Sequence, residues 1–211
     1  MKSNKFVSLP GLTAATSLVL AACAPTPTPA PVKPAEPAKP AAPAAPATKR
    51  GSGGTFRILY WQAPTILNSY LATGAKDYDA ARLISEPMVS VGPDGSLVPV
   101  LAVEVPTEAN GGVAKDKMSI TWKIKPGVKW HDGTDLTVDD FEFSYKYCIE
   151  KTTGCTNLKN FDSVDKFEII NPLSFKITFK TATTYPWQAF VGQNGYVLQK
   201  KQFANCIGEK A

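Results

Sequence analysis

His131 is the only histidine of the chain, and Asp132, Asp135, Asp139 and Asp140 follow it closely. An imidazole beside several carboxylates is the raw material of a metal centre or of an acid–base pair. The same residues have a second explanation. Asp132-Gly133 is a turn dipeptide, and Asp139 and Asp140 fall where carboxylates stabilise the first turn of a helix. The structural role is the expectation, with metal binding or catalysis as the competing one. No G-x-S-x-G, no S-x-x-K with its companion motifs, no H-E-x-x-H and no phosphate-cradling glycine loop occurs. The chain is therefore expected to be no enzyme and to need no metal or cofactor. The remaining reactive groups are the thiols of Cys23, Cys148, Cys155 and Cys206.

The segment that positions the His-Asp group runs from Ile120 to Cys148. Ile120, Trp122 and Ile124 alternate with Thr121, Lys123 and Lys125, which is the period of a strand with one buried face. Pro126-Gly127 turns the chain, Val128-Lys129-Trp130 reads as a second short strand, and His131 to Thr134 makes another tight turn. Thr137 and Asp140 then outline a capping box, and Phe141, Tyr145 and Cys148 recur at helical spacing. Strand, turn, strand, turn and capped helix agree with one another, as they should in a scaffold segment.

Composition divides the 211 residues into three regions. Residues 1–22 join a basic start, Lys2 and Lys5, to an apolar run, the two leading parts of an export signal. That run is interrupted by Pro10-Gly11 and is shorter than the roughly 20 apolar residues needed to span a bilayer. Leu20-Ala21-Ala22-Cys23 resembles the bacterial lipobox, in which the cysteine after a small-residue cleavage site is lipidated; an ordinary signal peptide with a chance cysteine is the competing reading. Lipidation of Cys23 implies a membrane anchor, because several acyl chains hold where one is marginal. Ala24, where a sorting signal would have aspartate, points to the outer face of the cytoplasmic membrane. Residues 23–54 are rich in Pro and Ala and end in Gly51-Ser52-Gly53-Gly54. They read as a tether reaching on the order of 80 Å at about 3.1 Å per residue, with a Pro-rich ligand for a partner module as the alternative.

Residues 55–211 have the composition of a globular domain. The formal charge of +5 arises outside it, from Lys2, Lys5, Lys33, Lys39, Lys49 and Arg50 against Glu36. Its own charges balance, which removes the usual reason to expect a nucleic-acid partner. Thr55 to Tyr60 reads as a strand, followed by a loop from Trp61 to Lys76 and a helix capped by Asp77 that runs toward Pro87. Met88 to Val91 and Leu97 to Pro99 flank Gly92-Pro93-Asp94-Gly95 as a hairpin. Val103 to Pro106 reads as a further short strand, Val164–Ile170 and Ser174–Phe179 as a strand pair, and Thr184 to Phe190 as the start of a helix. Six residues, Gly154 among them, separate Cys148 from Cys155, so an exported chain can bridge them. That loop predicts a disulfide worth roughly 2.5 kcal/mol, with two free buried thiols as the alternative. Cys206 is left without an assigned partner.

The order GGTFRI, EPMVSVGPDGSLVPVLA, ITWKIKPGVKWHDGTDLTVDDFEFSYKY, a strand pair and a Pro-aromatic segment resembles the extracytoplasmic solute-binding proteins of family 5, which serve oligopeptide, dipeptide and nickel ABC importers. The resemblance covers about residues 53–204. It implies a mixed α+β lobe of the α/β class with a periplasmic-binding-protein-like type II fold. Members of the family are more than twice as long and close two lobes over the ligand, so residues 55–211 are expected to be the incomplete first lobe of an N-terminal fragment. In that family the Trp-His-Asp-Gly turn is scaffold.

Ligand clefts combine aromatic walls with a few polar groups on loops after strands. Tyr60, Trp61, Gln62 and Asn68 fit this description, and the corresponding loop faces the cleft in the resembling family. Trp187, Gln193, Asn194 and Tyr196 form a second set. The alternative is that Trp61 and Trp187 only pack the lobe. The expected function is capture of a peptide or related small solute outside the membrane for ABC permease subunits. A surface lipoprotein with a structural or adhesive role on the same scaffold is the second hypothesis, and a hydrolase the third.

Overall fold

The computed structural model describes residues 53–211. The leader, Cys23 and most of the Pro/Ala-rich region lie outside the described residues. The ordered elements are α1 (Ala75–Ala81), β1 (Val89–Val91), β2 (Leu97–Pro99), β3 (Ser119–Lys123), α2 (Val138–Ile149), β4 (Val164–Asn171), β5 (Ser174–Phe179) and α3 (Lys200–Phe203). β1 and β2 form a two-stranded sheet, and β3, β5 and β4 form a second sheet in that order, all pairs antiparallel. No helix among the described residues is long and apolar enough to cross a membrane.

The β1–β2 hairpin follows from its turn. Gly92 N–H donates to the Ser96 carbonyl at 2.8 Å, and Asp94 Oδ1 accepts from Ser96 N and Oγ. Gly95 takes φ +81°, open to a residue without Cβ at little cost. In β3, Ile120 and Trp122 are buried while Lys123 is exposed, as the alternation requires. α2 begins where expected: Thr137 N–H donates to Asp140 Oδ2 at 3.1 Å, closing one arm of the capping box.

α2 lays Phe141 on the three-stranded sheet, with ring centroids 5.1 Å from Phe175, which stacks on Phe167 at 4.8 Å. Phe190 inserts edge-on between Phe141 and Phe161, at 5.3 and 5.4 Å. Its backbone is left-handed, φ +62°, unusual for a bulky side chain. Such strain costs about 1–3 kcal/mol, and complete burial of a Phe side chain returns a comparable amount, about 1.5–3 kcal/mol.

Several segments depart from expectation for one reason: neighbours decide their pairing. Thr55 to Tyr60 has strand composition but no strand partner among the described residues, and Phe56 and Leu59 are 87% and 98% exposed. Val128–Trp130 does not pair with β3, because Lys125 N–H already donates to the Leu101 carbonyl and Ile124 bridges Ala102. It closes instead on the turn that follows, through Trp130 N to Thr134 O and Leu136 N to Val128 O. Val103 donates to the Lys123 carbonyl, yet Val103–Pro106 forms no strand. Gly74, not Asp77, precedes α1, and the helix stops at Ala81. The Asp77 carboxylate is taken by Thr65 N at 2.7 Å and Lys76 Nζ at 2.7 Å. Thr184–Phe190 is irregular. A run that short needs tertiary packing to become helical, and here packing holds it open: Trp187 Nε1 donates to the Pro106 carbonyl at 2.8 Å.

Candidate functional site

The carboxylates near His131 are occupied with scaffold contacts, while His131 itself is exposed. Asp132 Oδ1 accepts from Thr134 N and Oγ1, and its Oδ2 accepts from Lys201 Nζ at 2.9 Å and Gln199 Nε2 at 3.1 Å. The Thr134 hydroxyl first, and then Lys201, hold this carboxyl far below the usual carboxylate range. Asp135 pairs with Lys129, and Asp139 lies 3.8 Å from Lys200. Asp140 is buried and accepts three N–H groups, from Thr137, Trp130 and Lys200. Among the described residues no group of three His, Cys, Asp or Glu side chains is placed to hold a metal ion.

The residues expected to touch ligand do not gather at one place. Tyr60 donates its hydroxyl to the Asp79 carbonyl of α1 at 3.2 Å, while Trp61 is 75% exposed and Gln62 is exposed. Asn68 lines a cavity of about 690 Å³ walled largely by apolar residues such as Leu71, Trp130 and Phe203. Its amide is already used: Nδ2 donates to Tyr147 Oη at 3.0 Å and Oδ1 accepts from Tyr70 N at 3.0 Å. Trp187 lines a separate hollow of about 210 Å³ with Lys117 and Thr184.

Gln193, Asn194 and Tyr196 do come together, on one wall of a cavity of about 510 Å³. Arg82, Ser85, Glu86 and Ser90 complete its polar lining. None of these seven side chains donates or accepts a hydrogen bond within the described residues. Asn194 Oδ1 is buried and has no hydrogen-bond partner among the described residues.

The cleft is built by backbone pairing. Met88 N–H donates to the Phe190 carbonyl at 2.9 Å, and Val197 N–H to the Glu86 carbonyl at 3.3 Å. Bridges join Val89 to Val191 and Pro87 to Tyr196. Between these anchors the loop carries Gln193 and Asn194 on a 3-10 turn. Gly195 has no room for a side chain: a Cβ there would sit 2.2 Å from Val191 N. Burial raises the Tyr196 hydroxyl pKa, so it stays protonated and able to donate.

Arg82, Ser85 and Glu86 are not among the residues expected from sequence because Asp77 to Pro87 reads as a packing helix, and Ser90 is not because it falls in a hairpin strand.

A mixed α/β lobe with carboxylates spent on turns and a polar cleft left open describes a binding module. The chain belongs to the bacterial extracellular solute-binding proteins, family 5, whose middle-region pattern matches residues 96–208. It is 29% identical over 128 residues to the oligopeptide-binding protein AppA of Bacillus subtilis, a match covering 58% of this chain and 22% of that protein. The fold resembles OppA of Listeria monocytogenes bound to peptide, with TM-score 0.59 and 20% identity over 71% of this chain and 31% of that one. It also resembles NikZ of Campylobacter jejuni in complex with Ni(L-His), with TM-score 0.58 and 22% identity over 71% of this chain and 28% of that one. The chain thus spans less than a third of the length of these relatives. Its fold is the type II periplasmic-binding-protein fold, covered in part, and its homologues are solute-binding proteins rather than enzymes.

Proposed function

We propose that the chain is part of the substrate-binding lipoprotein of an ABC importer, which captures peptides or a related small solute outside the membrane and delivers them to permease subunits. The observation that carries this reading is the family match across residues 96–208. The open cleft between Glu86 and Asn194 supports it, since clefts that bind solutes keep a few polar groups uncommitted. In the whole natural protein, two lobes close on the ligand by hinge motion and the permease recognises the closed form. Residues 1–22 are removed on export, acylated Cys23 anchors the chain to the outer face of the cytoplasmic membrane, residues 23–54 tether it, and residues 55–211 begin the binding domain. Gln193, Asn194 and Tyr196 form one wall of the ligand site; Tyr60, Trp61, Gln62, Asn68 and Trp187 lie apart from that wall.

The whole natural protein, purified without its lipid, is the material for the test. Peptide addition should contract it in small-angle scattering, and an unchanged profile with every peptide and metal chelate tried rejects the capture reading. Labelled palmitate should enter the natural protein and not its Cys23→Ser variant. Equal labelling of both removes Cys23 as the anchor.

A further inference from the structure

We propose that Phe190, a fully buried core residue, is a positioning residue for the cleft wall that carries Gln193 and Tyr196: its ring fixes the base of a loop that closes back onto its own backbone. This role rests on the peptide-capture reading of the cleft and names what holds that wall in place. Among the described residues only Lys117 and Phe190 carry a Cβ on a left-handed backbone, at φ +58° and +62°. Lys117 closes a turn, its N–H donating to the Ala114 carbonyl at 2.8 Å, and its side chain is well exposed. Phe190 has no such excuse, being completely buried. Strain of that kind in a bulky residue persists only where the surroundings over-determine it, and it collects at functional sites.

Those surroundings are other rings. Phe190 stands close to edge-on against Phe141, Phe161, Phe175 and Phe167, with centroids 5.3, 5.4, 5.7 and 6.5 Å away. Its carbonyl meanwhile accepts from Met88 N–H at 2.9 Å, and the next residue bridges Val89 of β1. The chain turns left-handed again at Gly192, φ +66°, takes the 3-10 turn Gly192–Asn194 and returns at Gly195. Gly195 rests on the Phe190 backbone itself: a Cβ there would stand 2.3 Å from the Phe190 carbonyl carbon and 2.6 Å from its Cα. The loop from Phe190 to Gly195 is thus closed on its own base, with Gln193 exposed in its middle and Tyr196 just past the closure, both lining the 510 Å³ cavity. A wall held this way does not have to be ordered by the solute, and affinity falls with the fraction of time the competent arrangement is populated. Removing the ring frees the base of the loop and leaves the side chains that line the cavity unchanged.

The whole natural protein is offered a tryptic digest of casein, the peptide it retains most is synthesised, and the Kd of that peptide is measured by calorimetric titration. Phe190→Gly relieves the backbone strain and removes the ring; a loop that then keeps its course about one-tenth of the time raises Kd about tenfold. Phe190→Leu keeps a bulky apolar side chain in the core and should stay within about twofold of wild type. Ile120→Ala opens a cavity elsewhere in the same core, and it should lower the urea midpoint and leave Kd unchanged. Amide exchange at Gln193 and Asn194 should quicken in Phe190→Gly and not in Ile120→Ala, which separates loss of positioning from loss of stability. Gly195→Ala pushes the loop off its base without touching the aromatic core and should also raise Kd, so the role stays testable where Phe190→Gly does not fold. A wild-type Kd in folded Phe190→Gly or in folded Gly195→Ala overturns the positioning role while capture stands. A wild type that retains no peptide overturns the capture reading, and the positioning role with it.

Discussion

Asp140 draws N–H groups from three separate segments onto one buried carboxylate: the start of α2, the Trp130 turn and the start of α3. Removing it leaves three donors without partners, so Asp140→Ala should cost roughly 3 kcal/mol in urea unfolding. A cost near zero rejects its role as the junction. Asp77 does similar work for the Thr65 loop, and Lys76 first, then the Thr65 amide, hold its carboxyl far below the usual range. A lowered pKa in the folded state means that the unfolded chain takes up a proton first as pH falls. The stabilisation is therefore complete above about pH 5 and is lost progressively as acid approaches the folded pKa. Asp77→Asn should be less stable than wild type at pH 7, and the gap should narrow below about pH 4. A gap that does not change with pH excludes ionisation as its source. Neither role was legible from residue type. The capping box announced Asp140 as a local cap, whereas its bonds to Trp130 and Lys200 depend on tertiary packing.

The loop after α2 joins two parts of the lobe. Cys148 and Cys155 are bridged, with Cα atoms 5.0 Å apart. Beside the bridge, Thr156 N–H donates to the Tyr70 carbonyl at 2.8 Å, Asn157 Nδ2 to Ser69 O at 2.9 Å, and Gly208 N–H to Thr153 Oγ1 at 2.9 Å. One short loop thus holds both the chain before α1 and the chain after α3. Reduction, or paired Cys148→Ser and Cys155→Ser substitution, should lower stability by roughly 2.5 kcal/mol. It should also speed amide exchange at Thr156 and Gly208; protection unchanged at both sites removes the bridge as their support. At this scale the sequence was most readable where elements are closed by their own residues. The Asp94-Gly95 hairpin, the β4–β5 pair and α2 all follow from turn chemistry and period. Thr55–Tyr60 and Thr184–Phe190 failed because a strand needs a neighbour and a short helix needs a docking face.

For the whole molecule, the ordered sequence blocks conveyed the family, and the resemblance they carry implied the fold class. Of the residues expected at the site, Gln193, Asn194 and Tyr196 line one cavity, whereas the polar groups of Asn68 and Trp187 are hydrogen-bonded within the lobe, a pairing that residue type and loop position do not reveal. In the whole natural protein, Trp187→Phe should lower stability through the lost Pro106 contact and leave peptide Kd unchanged. A Kd raised tenfold or more, with the urea midpoint intact, returns Trp187 to the ligand site. The left-handed Phe190 also has a meaning for how such a lobe diversifies. Its ring is locked in the core and Gly195 is pinned by its neighbours, so the course of the intervening loop does not depend on what stands at 193 and 194. Those two positions can exchange side chains without refolding the protein, as interchangeable teeth on a fixed key blank.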